Sequence, residues 1–504
     1  MSTHKQPNVV IFNPDQWRGD VMGCHGDPAA VTPNLDELVQ TEAVSFRYSF
    51  CQNPVCTPSR CSFMSGWYPH VRGHRSMGRM LRPPHDNNLL STLKDAGYYV
   101  WWGGKNDLVP AQDGFDRYCH VKYNNYDKVH DPTVQQPKRL YGPERARDSF
   151  ESDEEFKSFY LGTVEPAGAE NYYRDSDWAA VEGAIDFIRN YKGEAPFFVY
   201  LAIAYPHPPY IVEERFRELI DPAKLPPRKG GADAWTGPKP RFARDYHERL
   251  GLSGWSEEKW TELRRVYYAM VARVDHQIGL VLDALREAGS YDDTAFFMFS
   301  DHGEWAGDYN LVEKHQIMYD DSLTRVPFVV KPPKNVPRAP GVRDQFVELI
   351  DLPATVEAWT GVRLPQTHFG RDLSGPIADP KTEHRDAVFS EGGRLESEPH
   401  LLTAESGGKP PNPNTPYYTK QTIQAEALEN LGRSFMVRTK THKYVRRLYE
   451  ADELYDLEAD PEELHNLIED NPETENVRRE LRDRMFVWLS ETTDTTPVGI
   501  DRRE

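Results

Sequence analysis

The stretch Asn53-Pro-Val-Cys-Thr-Pro-Ser-Arg-Cys-Ser-Phe-Met-Ser-Gly66 follows a strand-like run, Val44–Phe50, and puts Cys56 just before a helix opened by Pro58. Proline suits a first helical turn, because its missing N–H had no intrahelical partner to lose. Thr57 and Ser59 are placed to cap the free N–H groups there. A group at such a helix start sits in a positive field that suits an anion. Arg60, one turn on, adds a planar charge shaped for sulfate or phosphate oxygens. Taken alone, a cysteine at this position is most simply a small buried hydrophobe.

Strand-then-helix texture extends outward on both sides of this unit. Asn8–Phe12 is a short apolar run that ends in Asn-Pro-Asp15-Gln16, and it reads as a buried parallel strand. In open α/β sheets, sites form just beyond such strand ends. Pro33 opens a helix with Thr32 in place as its cap. Leu89–Ala96 reads as a helix closed by Gly97, and Tyr98–Trp102 as a strand from which Gly103-Gly104-Lys105 turns sharply. Trp178–Tyr191 looks helical, and the apolar run Phe197–Ala204 leads into Tyr205-Pro-His207-Pro-Pro209. Within Glu257–Ala288, Trp260, Leu263, Tyr267, Met270, Val274 and Ile278 recur at three- and four-residue steps, which gives one apolar helix face. Thr294–Ser300 is a buried strand ending in Asp301-His302-Gly303-Glu304, Pro327–Lys331 a further short strand, and Leu349–Trp359 a helix.

This alternation predicts an α/β fold: a large, mostly parallel sheet sandwiched by helices. Residues 104–175 have no sustained period, and 221–245 are rich in proline and glycine, so both are expected to be irregular and loop-like. After about residue 375 the texture changes. Ser406–Pro416 is a Gly/Pro/Asn-rich loop, Phe435–Thr439 and Lys443–Arg447 form a hairpin pattern, Glu453–Leu457 adds a strand, and Glu473–Leu489 a final helix. The expected division is a catalytic domain over 1–375 and a smaller α+β domain over 376–504 with a short antiparallel sheet.

The 504 residues carry a formal net charge of -19, with 28% charged and 38% hydrophobic residues. That balance fits a soluble globular protein and argues against nucleic acid as a partner. The stretch Met1–Pro7 has no signal-peptide hydrophobic region, and no apolar run is long enough to span a membrane. Five cysteines, Cys24, Cys51, Cys56, Cys61 and Cys119, form an odd, sparse set. Such a set fits a reducing compartment better than a disulfide scaffold, so a cytoplasmic enzyme is expected.

Two strand ends far apart in sequence offer metal ligands: Asp15 with Gln16, and Asp301 with His302. Hard divalent cations prefer oxygen ligands, and one imidazole shifts the preference towards transition metals. Any one such pair also reads as an ordinary loop turn. His25, His70, His74 and His315 read as packing or surface residues, and Trp101 and Trp102 as core. Trp67 and Tyr68 are expected either to line a pocket or to pack a helix.

Cys56-Thr-Pro-Ser-Arg60 followed by Ser65-Gly66 resembles the signature of the formylglycine-dependent sulfatases of the alkaline phosphatase superfamily. The resemblance implies that a formylglycine-generating or other sulfatase-maturing enzyme oxidises Cys56 to an aldehyde whose hydrate is the nucleophile. It implies that Asp15, Gln16, Asp301 and His302 hold one divalent metal beside residue 56. It places Arg60, Lys105 and Lys314 as cations at the sulfate and the aldehyde hydrate, and His207 near the leaving oxygen. Many sulfatases carry a second Asp where this chain has Gln16. The Gln form resembles the branch with phosphonate monoester hydrolases, and it leaves the metal open between calcium, the first expectation, and manganese or magnesium. Asp107 stands where many sulfatases carry a histidine; a carboxylate there is a general base only if its pKa is raised, and a substrate contact or a loop role are the alternatives. Glu453–Leu457 and the acidic residues after it resemble the family's C-terminal ending.

The implied reaction is hydrolysis of an aryl or carbohydrate sulfate ester, with hydrolysis of a phosphonate monoester or phosphodiester at the same site as the alternative. A binding protein that keeps the fold is less favoured, because nearly all the ligands are present. The expected partner is a small-molecule or carbohydrate sulfate ester, with no nucleic acid and no membrane, and a homo-oligomer is left open.

Overall fold

Asn8–Asp15 is buried at every position, and this strand, β1, lies inside the main sheet of the computed structural model, which describes residues 6–82, 85–123, 147–164, 175–405, 410–469 and 472–495. The strands that follow are β2 Val44–Phe50, β3 Tyr99–Gly104, β4 Val121–Tyr123, β5 Tyr160–Val164, β6 Phe197–Pro206, β7 Tyr210–Glu213 and β8 Thr294–Phe299. Then come β9 Arg325–Val326, β10 Phe328–Lys331, β11 Gly341–Glu348, β12 Val388–Gly392, β13 Ser434–Arg438, β14 His442–Arg447 and β15 Glu453–Asp456.

The main sheet runs in the order β11-β2-β10-β8-β1-β6-β3-β4, with β9 paired to β2. β1 is parallel to both neighbours, with Val10 opposite Val199 on β6 and Phe296 on β8. Only β9 and β10 run antiparallel to their neighbours in this sheet. Successive side chains of a strand point to opposite faces, and the two faces bury different helices. Val10, Phe12, Val199 and Phe296 pack with Leu38, Val181, Val274 and Ile278, which sit on helices Pro33–Thr41, Ser176–Asn190 and Glu257–Glu287. Val9, Ile11, Phe198 and Phe297 pack with Phe63, Leu90 and Val356 on helices Cys56–Ser65, Leu89–Asp95 and Asp351–Thr360. Coverage on both faces is why β1, β6 and β8 are apolar almost without a break.

A second sheet, β12-β13-β14-β15, is antiparallel throughout. The helix Pro472–Thr492 closes it: Leu481, Met485 and Trp488 pack on Phe389, Val437, Tyr444 and Leu454. Among the described residues, no helix is long and apolar enough to cross a membrane.

Several local expectations are corrected. The 104–175 region holds β4, the helix Asp153–Ser158 and β5, with 124–146 and 165–174 outside the described residues. The helix Arg241–Leu250 rises out of the end of the 221–245 stretch and buries Phe242, Ala243, Tyr246 and Leu250. Thr32 does not cap its helix; its hydroxyl accepts from Gly23 N and donates to Asp36. The free N–H groups of Asn34 and Leu35 go instead to Asp275, which reaches over from the long helix Glu257–Glu287.

The key helix starts at Cys56 itself, with Val55 as its uncapped N-terminal neighbour. Ser59 Oγ donates to Asp301 O at 2.6 Å, and Thr57 Oγ1 makes no hydrogen bond. Neither residue caps the helix, so no side chain of its own covers its first N–H groups.

Gly104 ends β3 with φ +79, and a Cβ there would lie 1.9 Å from the Ala202 carbonyl oxygen on β6. This close approach aims Lys105 out of the sheet, since only glycine holds such a φ without strain. Gly104→Ala is expected to lower stability by roughly 2–5 kcal/mol from strain and overlap combined. Thermal unfolding reads this directly, and an unchanged melting temperature would remove the account.

Candidate active site

Four strand ends and one helix start meet at one point. Asp15 ends β1, Lys105 follows β3, His207 follows β6, and Asp301 and His302 follow β8. Cys56 is the first residue of its helix. The last turn of β6 is pinned by Asp177, whose carboxylate accepts from Ala204 N and Tyr205 N at 2.9 and 2.8 Å. That bracing fixes the chain just ahead of His207.

Asp15, Cys56, Asp301 and His302 are all buried, and one ligand atom from each lies within 4.8 Å of all the others. Cys56 Sγ is 3.2 Å from His302 Nε2 and 3.6 Å from Asp15 Oδ1. His302 Nδ1 faces the Gly303 carbonyl at 3.0 Å. A carbonyl only accepts, so Nδ1 carries the proton and Nε2 offers its lone pair to the group. Two carboxylates and one imidazole nitrogen therefore converge, a donor set that fits a hard divalent cation. Gln16, with φ 74, gives its backbone N–H to Asp301 Oδ1 at 3.2 Å. Its side chain bridges elsewhere: Oε1 accepts from Lys314 Nζ at 2.5 Å and Nε2 donates to Glu304.

The cations divide into two sets. Arg60 is fully buried and braces both carboxylates, with Nε 2.9 Å from Asp301 Oδ2 and Nη2 3.0 Å from Asp15 Oδ2. Its remaining nitrogen donates to Tyr200 OH at 3.1 Å. Lys105 Nζ lies 2.5 Å from Asp15 Oδ2, 3.1 Å from Asp107 Oδ2 and 3.8 Å from Cys56 Sγ. Burial pushes the Asp15 carboxyl up, but Lys105, His207 and Arg60 outweigh it and hold the group well below its ordinary value. The same contest at Asp107, burial against Lys105 and Arg60, also ends below the ordinary value. The raised pKa that a general base at Asp107 requires is absent from this state.

On the other side, Lys314 Nζ donates to Gln16 Oε1, lies 2.9 Å from His207 Nε2 and is 2.7 Å from Glu313 Oε1. His207 Nδ1 faces the Pro208 carbonyl at 2.6 Å. Nδ1 is thus the donor, and Nε2 accepts from the Lys314 ammonium. Glu313 Oε2 takes a second ammonium, Lys420, from the helix Tyr418–Glu426.

These groups surround a cleft of about 420 Å³, with Cys56, Lys105 and His207 inside it and Tyr417, Lys420 and Gln421 lining it from the C-terminal part. Asp107 and Lys314 also line it, while Arg60 lies behind the carboxylates. Asp15, Cys56, Lys105, His207, Asp301, His302 and Lys314 are thus brought together, and Gln16 reaches the group through its backbone and through Lys314.

Sequence reasoning passed over Glu313 and Lys420. Glu313 is visible only as a charged neighbour of Lys314, and Lys420 has no motif around it. The other marked side chains have structural duties. Trp67 Nε1 donates to Thr367 O, Tyr68 OH to Glu348, and His70 pairs with Glu391. His315 stacks on Phe242 with ring centroids 3.5 Å apart, and it also borders the cleft.

The family model described as Sulfatase matches residues 7–362, and one described as N-sulphoglucosamine sulphohydrolase, C-terminal, matches residues 409–490. The chain is 26% identical over 494 residues to an arylsulfatase of Clostridium perfringens, covering 94% of this chain and 92% of that protein. It is 27% identical over 503 residues to an ulvan-active sulfatase of Formosa agariphila, covering 97% of this chain and 82% of that protein. Its fold is similar to that of the phosphonate monoester hydrolase of Agrobacterium radiobacter, with a TM-score of 0.75, 22% identity, and coverage of 99% of this chain and 100% of that one. The first family match begins just before β1 and ends beyond β11, so it spans every strand of the main sheet, and the chain belongs to the sulfatase family, enzymes that hydrolyse sulfuric esters.

Proposed function

We propose that this protein hydrolyses an aryl or carbohydrate sulfate ester with the formylglycine form of residue 56 as nucleophile and one divalent metal beside it. The observation that carries the reading is the convergence of Asp15, Asp301 and His302 on Cys56 in a cleft that Lys105 and Lys314 also line. The arylsulfatase and the ulvan-active sulfatase among its relatives support it, as their names state their activities.

Asp15, Asp301 and His302 would hold the metal, calcium foremost, with manganese or magnesium as alternatives. When bound, such an ion supplies positive charge that lowers the pKa of an attacking hydroxyl. Arg60 keeps both carboxylates in place. Lys105 and Lys314 face the cleft and stabilise charge on the oxygens of the transferring group. The Lys314 ammonium donates to His207 Nε2, so His207 is neutral in this arrangement, and to act as general acid its Nε2 takes up a proton from solvent, turns from Lys314 and gives that proton to the leaving oxygen.

A second reading is favoured by Gln16, which stands where many sulfatases carry an acid. It is hydrolysis of a phosphonate monoester or phosphodiester, the activity named for the fold neighbour of Agrobacterium radiobacter. The test is kcat/KM of the matured protein on nitrophenyl sulfate against a nitrophenyl phosphonate monoester. A preference for the sulfate is expected, and a preference for the phosphonate would replace the first reading with the second.

His207→Ala separates proton donation from binding. General-acid help is worth about 10²–10⁴ in rate and matters most for poor leaving groups. The variant should slow alkyl or sugar sulfates far more than nitrophenyl sulfate, as kcat/KM on both would report. Equal losses would assign His207 to sulfate binding alone.

A further inference from the structure

The run Asp301-His302-Gly303-Glu304 ends in a residue to which the reaction above gives no task. Glu304 is fully buried on the loop that follows β8. Its Oε1 accepts two backbone N–H groups, Ala306 N at 2.9 Å and Glu313 N at 2.5 Å. Its Oε2 accepts from Gln16 Nε2. Gln16 is fully buried too, and its Oε1 accepts from Lys314 Nζ at 2.5 Å.

An amide side chain has two unlike ends, and its partners decide its direction. An ammonium only donates, so the end of Gln16 that faces Lys314 is the oxygen. The other end is then its N–H2, which requires an acceptor at Glu304. The main chain of Gln16 is pinned on both sides. Its N–H donates to Asp301 Oδ1 at 3.2 Å, and its carbonyl accepts from Tyr267 OH at 2.8 Å. Turning the amide end for end is the movement left to it.

Lys314 Nζ donates to three acceptors: Gln16 Oε1, Glu313 Oε1 at 2.7 Å and His207 Nε2 at 2.9 Å. An ammonium has three N–H groups, so all are used. When His207 turns to the leaving oxygen, one N–H is freed for an oxygen of the transferring group. Gln16 and Glu313 then keep the ammonium in place.

We propose that Glu304 is a positioning residue for Lys314: it fixes the Gln16 amide with its oxygen towards the ammonium, and so holds that cation where the transferring group binds. The proposal rests on the sulfate-ester reading above for the identity of that group. Closing the loop requires only Oε1 of Glu304, and an amide oxygen serves there equally well. Glu304→Gln therefore separates the two roles. The new amide has to turn its oxygen to Ala306 N and Glu313 N, because its N–H2 there would face two donors. Its N–H2 then meets the N–H2 of Gln16. Gln16 escapes by turning over, which sets its own N–H2 against the Lys314 ammonium. Adding Gln16→Glu reverses this: position 304 donates to position 16, and position 16 accepts from Lys314. The paired exchange conserves volume and net charge.

The test uses the full chain with its formylglycine occupancy measured and calcium in excess. Calorimetric titration with inorganic sulfate and kcat/KM on nitrophenyl sulfate are compared for wild type, Glu304→Gln, and Glu304→Gln with Gln16→Glu. The single variant is expected to lose about 10- to 100-fold in sulfate affinity and in kcat/KM, chiefly through KM, the range of a hydrogen bond to a charged group. The double variant should recover most of both losses. Melting temperature should follow the same order, because buried donors face one another only in the single variant. Unchanged sulfate affinity in Glu304→Gln, or a loss that the double variant keeps, overturns the proposal and leaves Glu304 a loop-closing role alone. No turnover of nitrophenyl sulfate by wild type at full formylglycine occupancy overturns the sulfatase reading instead. The order of the three melting temperatures then still judges the hold of Glu304 on Gln16, and a double variant less stable than the single one overturns it.

Discussion

Protein whose residue 56 remains a plain cysteine is expected to hydrolyse sulfate esters at least about 10³-fold more slowly than protein carrying formylglycine there, the scale of losing a nucleophile. Burial and the Asp15 carboxylate push the Cys56 thiol up, against Lys105 and Lys314, so the unmodified side chain is a neutral thiol. A thiol that did attack sulfur would form an ester with no carbonyl to collapse to, and the enzyme would stop after one event. Among five cysteines, Cys56 alone sits in the signature. Mass analysis of the peptide around it, paired with kcat on the same preparation, checks the expectation. Full activity with Cys56 wholly unmodified would sink the mechanism.

Asp301→Ala should abolish activity and empty the metal site. From the sequence, a modest loss of fold is expected, because the residue stands at a strand end. Its contacts raise that figure. Asp301 is fully buried and accepts from Arg60 Nε, Gln16 N and His302 N. Alanine would leave the buried Arg60 with Asp15 as its remaining carboxylate. Breaking a buried ion pair from one side costs about 3–5 kcal/mol, so melting temperature falls along with turnover. Asp301→Asn keeps the shape and an acceptor oxygen, and it is expected to hold more of the fold while still losing activity by roughly 10³-fold or more. Metal content, melting temperature and kcat on both variants form the measurement. Stoichiometric metal and normal turnover in Asp301→Asn would mean that the site is assigned wrongly.

The centre of the main sheet was legible and its edges were not. β1, β6 and β8 are covered on both faces, so their apolar runs stand out. β11 and β4 lie at the two edges of the same sheet. β11 carries Arg343, Asp344 and Gln345, and β4 has three residues, so neither shows a period. Helix caps failed for a related reason: Asp275 serves the N–H groups of Asn34 and Leu35 from a distant helix, which no local pattern reveals. At the site, the strand ends and the Cys56 stretch announced themselves because each follows an apolar run or belongs to a long motif. Lys420 arrives from a separate element at the cleft wall, and nothing near it in sequence points there. Asp107 was visible, but its electrostatic surroundings were not, and Lys105 beside it sets its charge.

The strand order also fixes a timetable. β1 is made first, yet it pairs only with β6 and β8, and β8 leads into the loop that brings Asp301 and His302 against Cys56. A chain growing at roughly 5–20 residues per second therefore carries residue 56 for about 10–50 s before β8 exists. During that interval the motif is an open peptide within reach of another protein, and afterwards Cys56 is a buried residue lining a cleft of about 420 Å³. The topology thus sets how long Cys56 is met as open peptide before it lies within the cleft.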